Sequence, residues 1–263
     1  MSQQIAVHGH RGARALLPEN TIPGFLYAIE AGVDFIELDT AVTRDDVLVV
    51  CHDPVLKRSR CTGPRGTRVI RELTLRQLRE FECGARKNRR FPRQRRVPGA
   101  RIPTLDEVFD LAPRGSFGFN VEVKSFPLKP LYTPPPEVYA QMVRDAVGRR
   151  GLEQRVQVQS FDLRILEEVR RIAPEIPLAA LCEYPLRSFA ALASEVGAAT
   201  IGPYHRLVTR AKVRRAHAAG IAVVPWTANR PRDWARLVRA GVDGIITDDP
   251  AGLIAFLEQH GLR

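Results

Sequence analysis

The 263-residue sequence lacks the features of a membrane-spanning or secreted chain. No stretch approaches the roughly 18 consecutive apolar residues that a membrane span needs. The opening residues, MSQQIAVHGH, contain no basic segment followed by the apolar core of a secretory signal. We therefore expect a cytoplasmic protein without a membrane span.

Cysteine is scarce, and its spacing argues against common metal and redox motifs. The four cysteines are Cys51, Cys61, Cys83 and Cys182, and no two of them form a C-x-x-C pair. Structural zinc sites and dithiol redox motifs usually depend on such pairs, so neither is expected. The simplest expectation for a cytoplasmic protein is four reduced thiols.

The sequence also contains no Walker phosphate loop and no G-x-S-x-G nucleophile motif. The glycine-bearing segment GHRGAR, residues 9–14, is not the G-x-G-x-x-G of a dinucleotide-binding fold. No helical pattern follows it directly, as that fold would require. A dinucleotide site is therefore not expected.

The formal charge of +11 is concentrated in one segment of the chain. Residues 57–101 contain 16 Lys or Arg against three acidic residues, whereas the rest has 24 basic and 26 acidic residues. The run RKNRRFPRQRR, residues 86–96, has a single aromatic, Phe91, which argues against base stacking. Such runs are usually solvated surface, but this one could steer anionic substrates or contact anionic lipid surfaces weakly. No specific nucleic acid partner is expected.

Short apolar runs alternate with segments of helical periodicity along the chain. Such alternation is typical of a parallel sheet covered by helices, and about 250 residues suit one α/β barrel. We predict a (β/α)8 TIM barrel that forms a single domain over 1–263, with 57–101 as a small basic insertion after the second strand unit. A doubly wound open sheet is the weaker alternative. The predicted strands are 5–10, 34–42, 117–124, 155–161, 177–184, 199–204, 221–227 and 244–248, with 47–53 added to the second unit.

The helical segments fall between these strands. One of them, 103–112, opens with Thr104 as an N-cap and Glu107 three residues later, the spacing of a capping box. The predicted helices are 21–32, 73–82, 103–112, 136–149, 162–172, 187–196, 209–219, 231–240 and 251–261.

Charged residues recur near the carboxyl ends of the predicted strands, where barrel enzymes carry their chemistry. Glu37 and Asp39 share one face of a strand because side chains alternate with period two, and Glu122 and Lys124 do the same on the next. Buried charges of this kind either bind an ion or pair with each other. Two interpretations stay open: a divalent metal site of Glu37, Asp39 and Glu122, or a layer of ion pairs. Carboxylate oxygens suit one Mg²⁺ or Ca²⁺ rather than zinc.

His10 and His52 each follow an apolar run and precede a tight turn. A lone histidine is usually structural, but two at strand ends beside Arg11 and a carboxylate pair favour general acid and base roles. Arg11 and Lys124 are natural phosphate ligands, and Arg11 could also pair with Glu19 or Asp39. Trp226 fills the barrel or forms an apolar wall for a substrate. The remaining histidines of interest, His8, His205 and His217, are interpreted as structural or exposed.

With these residues in view, the sequence resembles the glycerophosphodiester phosphodiesterase family over nearly its whole length. The opening signature is GHRG and PENT, residues 9–12 and 18–21, followed by IELDTAVTRDDVLVVCHDP over 36–54. Further motifs follow in the family's order: IPTLDEV (102–108), VEVK (121–124), QSFD (159–162), VPWTAN (224–229) and GVDGIITDDP (241–250).

The resemblance implies metal-dependent hydrolysis of glycerophosphodiesters to sn-glycerol 3-phosphate and an alcohol. It implies that Glu37, Asp39 and Glu122 hold one divalent cation, Mg²⁺ or Ca²⁺, and that His10 and His52 form the acid–base pair. Arg11 and Lys124 would bind the phosphate, with Trp226 lining the pocket. The residues 86–96 are unusually basic for the family, which suggests an anionic alcohol group in the substrate.

Two other functions stay open at this stage. A lysophospholipase D or sphingomyelinase D activity would use a similar site but would need an apolar surface near the barrel mouth. A non-enzymatic anion-binding barrel would bind through its basic segment with a steep salt dependence.

Overall fold

The computed structural model describes residues 4–184 and 187–263, which form nine strands and nine α-helices. The strands are β1 (Ala6–His10), β2 (Phe35–Val42), β3 (Leu48–Val50), β4 (Gly118–Val123), β5 (Val156–Ser160), β6 (Leu178–Cys182), β7 (Thr200–Pro203), β8 (Ala222–Val223) and β9 (Gly244–Thr247). The helices are α1 (Ile22–Glu30), α2 (Leu75–Leu78), α3 (Leu105–Phe109), α4 (Pro136–Gly148), α5 (Leu163–Ile172), α6 (Phe189–Glu195), α7 (Arg210–His217), α8 (Pro231–Ala240) and α9 (Pro250–Gln259). The predicted helix over 187–196 begins two residues later in the structure, at Phe189.

Eight of the strands are parallel and lie in the order β8-β7-β6-β5-β4-β2-β1-β9. The two ends of this sheet also meet, because the Asp243 N–H donates to Val223 O and the Ile246 N–H donates to Pro225 O, both at 3.0 Å. The sheet therefore closes into the predicted (β/α)8 barrel and not into a doubly wound open sheet. β3 is an antiparallel addition to β2, as predicted for 47–53.

The sequence explains why the strands are parallel and internal. β2, β4, β6, β7 and β9 are buried along almost their whole length, which only a sheet covered on both faces allows. The helices carry capping signals at their ends: Thr104 and Glu107 form the predicted capping box of α3, and Gly241 ends α8 with φ +84°. Between helices and strands lies one large apolar core.

The segment between β3 and α3 has a second, smaller apolar core of its own. Leu56, Ile70, Leu78, Phe81 and Ile102 are almost fully buried there. The predicted helix over 73–82 is limited to Leu75–Leu78, and much of the segment is irregular. Hydrophobic burial therefore fixes this part of the chain with little regular secondary structure.

The expectation of four reduced thiols is wrong for one pair of cysteines. Cys61 and Cys83 form a disulfide across 22 residues. They are brought together because Thr62 and Glu82 pair as antiparallel backbone, with N–H to O distances of 2.8 and 2.9 Å. Cys51 and Cys182 are free thiols.

No helix within residues 4–184 or 187–263 combines the length and apolarity needed to cross a lipid bilayer.

Candidate active site

The carboxyl ends of the barrel strands surround one cavity of about 350 Å³. Its lining contains seven of the eight residues predicted for the site: His10, Arg11, Glu37, His52, Glu122, Lys124 and Trp226. The eighth, Asp39, is fully buried directly behind the cavity wall. The structure thus brings together side chains that are up to 216 residues apart in sequence, between His10 and Trp226.

Glu37, Asp39 and Glu122 lie close together on β2 and β4. Asp39 is the register partner of Glu122, and all three are buried. One carboxylate oxygen from each lies within 4.8 Å of the others, which is the arrangement of a candidate cation site. Three such oxygens form a hard ligand set that suits Mg²⁺ or Ca²⁺.

The hydrogen bonds of this triad leave an oxygen available. Glu37 accepts from the Arg11 backbone N–H at 3.0 Å and from Gln159 Nε2 at 2.9 Å. Asp39 Oδ2 accepts from Asn20 Nδ2 at 2.9 Å. Asp39 Oδ1 is buried and has no hydrogen-bond partner in the described part of the chain. An unsatisfied buried carboxylate oxygen is costly, so the residues present fit a bound cation.

Ion pairs run through the same cluster. Lys124 Nζ lies 2.6 Å from Glu122 Oε1 and 3.4 Å from Asp39 Oδ1, and Arg11 Nε lies 3.1 Å from Asp39 Oδ2. The structure therefore shows the ion-pair layer and, in the same place, a carboxylate cluster that fits a cation. Arg11 and Lys124 offset part of the carboxylate charge, while Asp39 Oδ1 accepts no hydrogen bond from a described residue.

The pKa values of Glu37 and Asp39 are shifted in opposite directions. Burial, together with the neighbouring charges of Asp39 and Glu122, raises the pKa of Glu37 well above its usual range. Burial alone would also raise the pKa of Asp39, but Arg11, His52 and Lys124 outweigh it and hold that pKa well below its usual range. Asp39 is therefore the firmly ionised member of the triad.

His10 is held from behind by a carboxylate. Its Nδ1 lies 2.5 Å from Asp248 Oδ1, and Asp248 also accepts from Asn229 Nδ2 at 2.7 Å. The other ring nitrogen, Nε2, lies 4.0 Å from Glu37 Oε2, on the side of the triad. Burial lowers the pKa of His10 to about 4 although Asp248 opposes the shift. This arrangement fixes the ring orientation and keeps Nε2 available at the cavity.

His52, which follows β3, is also held by a carboxylate. Its Nδ1 lies 3.1 Å from Asp53 Oδ1, and Asp53 also pairs with Lys57 at 3.0 Å. Arg60 bridges Asp53 and Glu19 through ion pairs, which ties the residues after β3 to the loop after β1. Both candidate acid–base histidines therefore have a carboxylate partner on Nδ1.

The loop after β1 depends on an unusual backbone. Arg11 and Asn20 adopt left-handed φ values of +52° and +54°, which place the Arg11 N–H on Glu37 and the Asn20 amide on Asp39. At Gly12, a Cβ would lie 2.7 Å from the backbone of Gly24 in α1, so only glycine fits there. The loop is packed tightly because its backbone itself contributes to the site.

An aromatic wall faces the charged side of the cavity. Trp226 contacts Phe161 edge to face at 5.4 Å, and its Nε1–H donates to Gly202 O at 2.8 Å. Trp226 therefore packs into the barrel rim and also lines the cavity.

The other histidines lie outside the cavity lining. His8 is buried inside the barrel, stacked on Phe35 and 3.3 Å from Asn120 Nδ2. His205 is buried under Arg236, and His217 pairs with Asp243 at the surface. These positions agree with the structural or exposed roles expected from the sequence.

Several residues of the site were not assigned a role from the sequence. They are Asn20, Asp53, Arg60, Gln159 and Asp248, which hold the histidines and the triad in place. Their positions directly after strands or beside the predicted residues were a visible signal. Most of their partners were not, because contacts such as His10 with Asp248 and Glu37 with Gln159 join strands that are distant in sequence. Glu19, expected as a partner of Arg11, does pair with it at 3.0 Å.

The comparison with known proteins decides the family. The sequence profile described as the glycerophosphoryl diester phosphodiesterase family matches residues 10–252. The chain belongs to this family. The resemblance seen in the sequence is confirmed, and the chain is a phosphodiesterase rather than a non-enzymatic barrel.

Individual family members agree with this assignment. A glycerophosphodiester phosphodiesterase from Caldanaerobacter subterraneus subsp. tengcongensis is 34% identical over 97% of this chain and 98% of its own. A crystal structure from Silicibacter pomeroyi DSS-3, assigned as a glycerophosphoryl diester phosphodiesterase, has 32% identity and a TM-score of 0.92, covering 98% and 95% of the chains. An Oleispira antarctica phosphodiesterase in complex with sn-glycerol-3-phosphate has 21% identity and a TM-score of 0.82, with 97% of both chains covered, and supports the fold.

Proposed function

We propose that the protein hydrolyses glycerophosphodiesters to sn-glycerol 3-phosphate and an alcohol with the help of one divalent cation. The observation that carries this proposal is one cavity that combines a buried carboxylate triad with two histidines, each paired with its own carboxylate. The Oleispira antarctica phosphodiesterase structure contains the product sn-glycerol-3-phosphate, which supports the same product here.

The cation, Mg²⁺ or Ca²⁺, would be held by Glu37, Asp39 and Glu122. When bound it would neutralise these carboxylates and stabilise negative charge on the phosphoryl oxygens. Arg11 and Lys124 already stand beside the triad and would bind the remaining phosphate oxygens.

The two histidines would move the protons. His10 and His52 both line the cavity, and each has its Nδ1 on a carboxylate, so Nε2 is the atom that would exchange a proton with substrate. In the overall hydrolysis, one would remove a proton from the attacking water, whose oxygen becomes bonded to phosphorus, while the other protonates the departing alkoxide as its bond to phosphorus breaks. Trp226 would line the side of the cavity that receives an apolar part of the substrate.

The direct test is release of glycerol 3-phosphate from glycerophosphocholine by the purified protein. Parallel assays would contain Mg²⁺, Ca²⁺ or EDTA. The proposal expects release with at least one cation and none in EDTA. Release that is equal in EDTA would overturn the metal requirement, and absence of release from a panel of glycerophosphodiesters would overturn the substrate class.

Variants of the histidines separate chemistry from folding. His10→Ala and His52→Ala are each expected to lower kcat by about 10²-fold or more, because general acid–base catalysis contributes that much. His260→Ala, at the exposed end of α9, is the matched control and is expected to leave kcat unchanged. Unchanged turnover in either cavity variant would remove that histidine from the chemistry.

A second candidate is a lysophospholipase D or sphingomyelinase D activity, favoured by one specific observation. Leu128 and Leu131, in the loop after β4, are 96% and 83% exposed and thus form an apolar edge at the end of the barrel that carries the site. Turnover of detergent-dispersed lysophosphatidylcholine or sphingomyelin faster than of glycerophosphocholine would favour this candidate. Glycerophosphocholine turnover alone would exclude it.

We also propose that residues 1–263 act as one catalytic unit in the cytoplasm. The Cys61–Cys83 disulfide opposes the cytoplasmic assignment, because such bonds persist mainly in oxidising compartments. Alkylation of thiols in intact cells tests it: modification of both cysteines in the native host supports a reducing cytoplasm. Protection of both from alkylation would contradict it.

A further inference from the structure

A broad basic cleft adjoins the catalytic cavity. The two spaces share Arg11, Arg14 and His52. Among the described residues, the cleft lining contains nine Lys or Arg but only one acidic residue, Glu19. Five of these basic residues form its outer part, here called the arginine wall: Arg86, Lys87, Arg89, Arg90 and Arg96.

The arginine wall is fixed in place by a buried amide. Gln94, which is almost fully buried, donates from Nε2 to Arg14 O at 2.8 Å and to Leu17 O at 3.1 Å. Its Oε1 accepts from the Asn88 N–H at 2.8 Å, which orders the turn that carries Arg89 and Arg90. The basic run is therefore attached to the loop after β1, which supplies Arg11 to the site.

A second set of contacts attaches the same run. The Arg95 N–H donates to Leu16 O at 2.8 Å, and the Arg14 guanidinium lies over the Phe91 ring at 4.9 Å. Arg93 pairs with Asp249, at the start of α9. The backbone of the run is thus held to the barrel rim at several points, and its exposed basic side chains extend from a fixed stretch of chain.

The charges of the two spaces differ in one respect. In the catalytic cavity Arg11 and Lys124 are paired with buried carboxylates, and in the inner part of the basic cleft Arg60 is paired with Glu19 and Asp53. In the arginine wall, by contrast, none of the five basic side chains has an ion pair with any residue in 4–184 or 187–263. A cluster of like charges held together without counter-charges is an anion-binding surface.

We propose that the arginine wall binds a negatively charged group on the alcohol part of the substrate, such as the phosphate of a phosphorylated polyol. This inference rests on the proposed function and narrows its substrate class. The glycerol part of every glycerophosphodiester is uncharged and would gain nothing from the wall. An alcohol that extends past His52 enters the basic cleft, because His52 lines both spaces.

The test compares two substrates that differ by one phosphate group. We would measure kcat/KM for glycerophosphoinositol and for glycerophosphoinositol 4-phosphate with purified protein and the preferred cation. The ratio is expected to favour the phosphorylated ester by about tenfold or more, since several partly exposed ion pairs act together. Raising the ionic strength from about 0.05 M to about 0.5 M is expected to reduce that ratio.

Two triple variants localise the effect. Arg86→Gln, Arg89→Gln and Arg90→Gln together are expected to bring the ratio close to one. The matched control removes three exposed arginines of α7, on the outside of the barrel, that have no ion pair with any described residue: Arg210→Gln, Arg214→Gln and Arg215→Gln. This control is expected to keep the wild-type ratio.

A ratio near one in the wild type, or an equal fall of the ratio in both triple variants, would overturn the inference. So would tight, salt-sensitive binding to phosphatidylserine vesicles with no substrate preference, because the wall would then be a lipid-contact surface. Glycerophosphocholine is assayed in parallel. Its turnover without a preference for phosphorylated esters overturns only this inference, whereas no turnover of any ester overturns the proposed function as well.

Discussion

At the scale of single residues, the site consists of reactive groups and of the groups that orient them. The carboxylate partner of His10, Asp248, lies 238 residues further along the chain. Carboxylates in this position fix the tautomer of a histidine and stabilise its protonated form during proton transfer. Loss of such a partner therefore changes the chemistry without removing the catalytic ring.

Asp248→Asn is expected to lower kcat by about 10-fold to 10²-fold, a range typical for loss of a partner that orients a functional histidine. The amide can still contact Nδ1, but it carries no charge. The pH profile of kcat should shift as well, which a purely structural loss would not cause. Asp162→Asn, at the cap of α5, is the control for loss of a carboxylate at a strand end. An unchanged kcat and pH profile for Asp248→Asn would contradict the prediction.

Ionisation of Asp53, the partner of His52, makes the stability of the protein depend on pH in the acid range. Burial alone would raise the pKa of Asp53, but the hydrogen bond with His52 and the charges of Arg60 and Lys57 hold it below its usual range. A carboxyl whose pKa is lower in the folded state stabilises the protein above the unfolded pKa of about 3.9. This contribution is lost as the pH falls below that value.

Asp53→Asn is accordingly expected to lower the free energy of unfolding by about 1 kcal/mol at pH 6. The difference between the wild type and the variant should begin to shrink as the pH falls below about 4, where the carboxyl of the unfolded chain becomes protonated, and it should keep shrinking down to the lowest pH at which the protein folds. Urea unfolding at a series of pH values measures it. A difference that is independent of pH would mean that Asp53 acts through its shape and not its charge.

At the scale of elements, periodicity predicted the strands and helices of the barrel well, and the irregular segment poorly. The predicted strand over 221–227 is limited to Ala222–Val223, partly because Pro225 has no N–H to donate to a neighbouring strand. Within 57–101, the order comes from the Cys61–Cys83 disulfide and the buried amide of Gln94. Neither has a periodic signature, so the sequence could not predict them.

Gln94→Ala is expected to release the basic run from the loop after β1. Three hydrogen bonds of its side chain would be lost, and their backbone partners at Arg14, Leu17 and Asn88 would be left without them. Limited trypsin digestion is a direct readout, because the run contains many cleavage sites. We expect several-fold faster cleavage within 86–96, whereas Gln141→Ala on α4 should digest like the wild type. Equal digestion of all three proteins would show that other contacts hold the run.

At the scale of the whole molecule, the sequence predicted the barrel, the family and the residues that surround the cavity. It could do so because barrel strands end at one rim, so that residues following different strands necessarily meet. The distances within the triad and the orphaned Asp39 Oδ1 could not be predicted, because they depend on the register of β2 against β4. The sequence left the metal site and the ion-pair layer as alternatives for the same reason.

A cation that binds the triad should stabilise the whole fold. At a concentration 100 times its Kd, a ligand adds about 2.7 kcal/mol to the free energy of unfolding. For a chain of this size we expect a rise in Tm of about 5 °C or more with Mg²⁺ or Ca²⁺. Thermal unfolding in EDTA and in each cation measures it, with K⁺ as the salt control. In Asp39→Asn the rise should be lost, and a rise that persists would place the cation elsewhere.

The two ends of the irregular segment between β3 and α3 lie side by side. The Val50 N–H donates to Pro103 O at 2.8 Å, and Val49 pairs with Thr104, so the chain leaves β3 and returns to α3 at nearly the same point. Lengthening or shortening the excursion therefore places little strain on the barrel. Insertions and deletions can accumulate in the part of the segment beyond Arg60, while the triad on the strands and the His52–Asp53 pair at the start of the segment keep their places. Exchange of this later part between relatives offers a route to new substrate ranges on an unaltered catalytic frame.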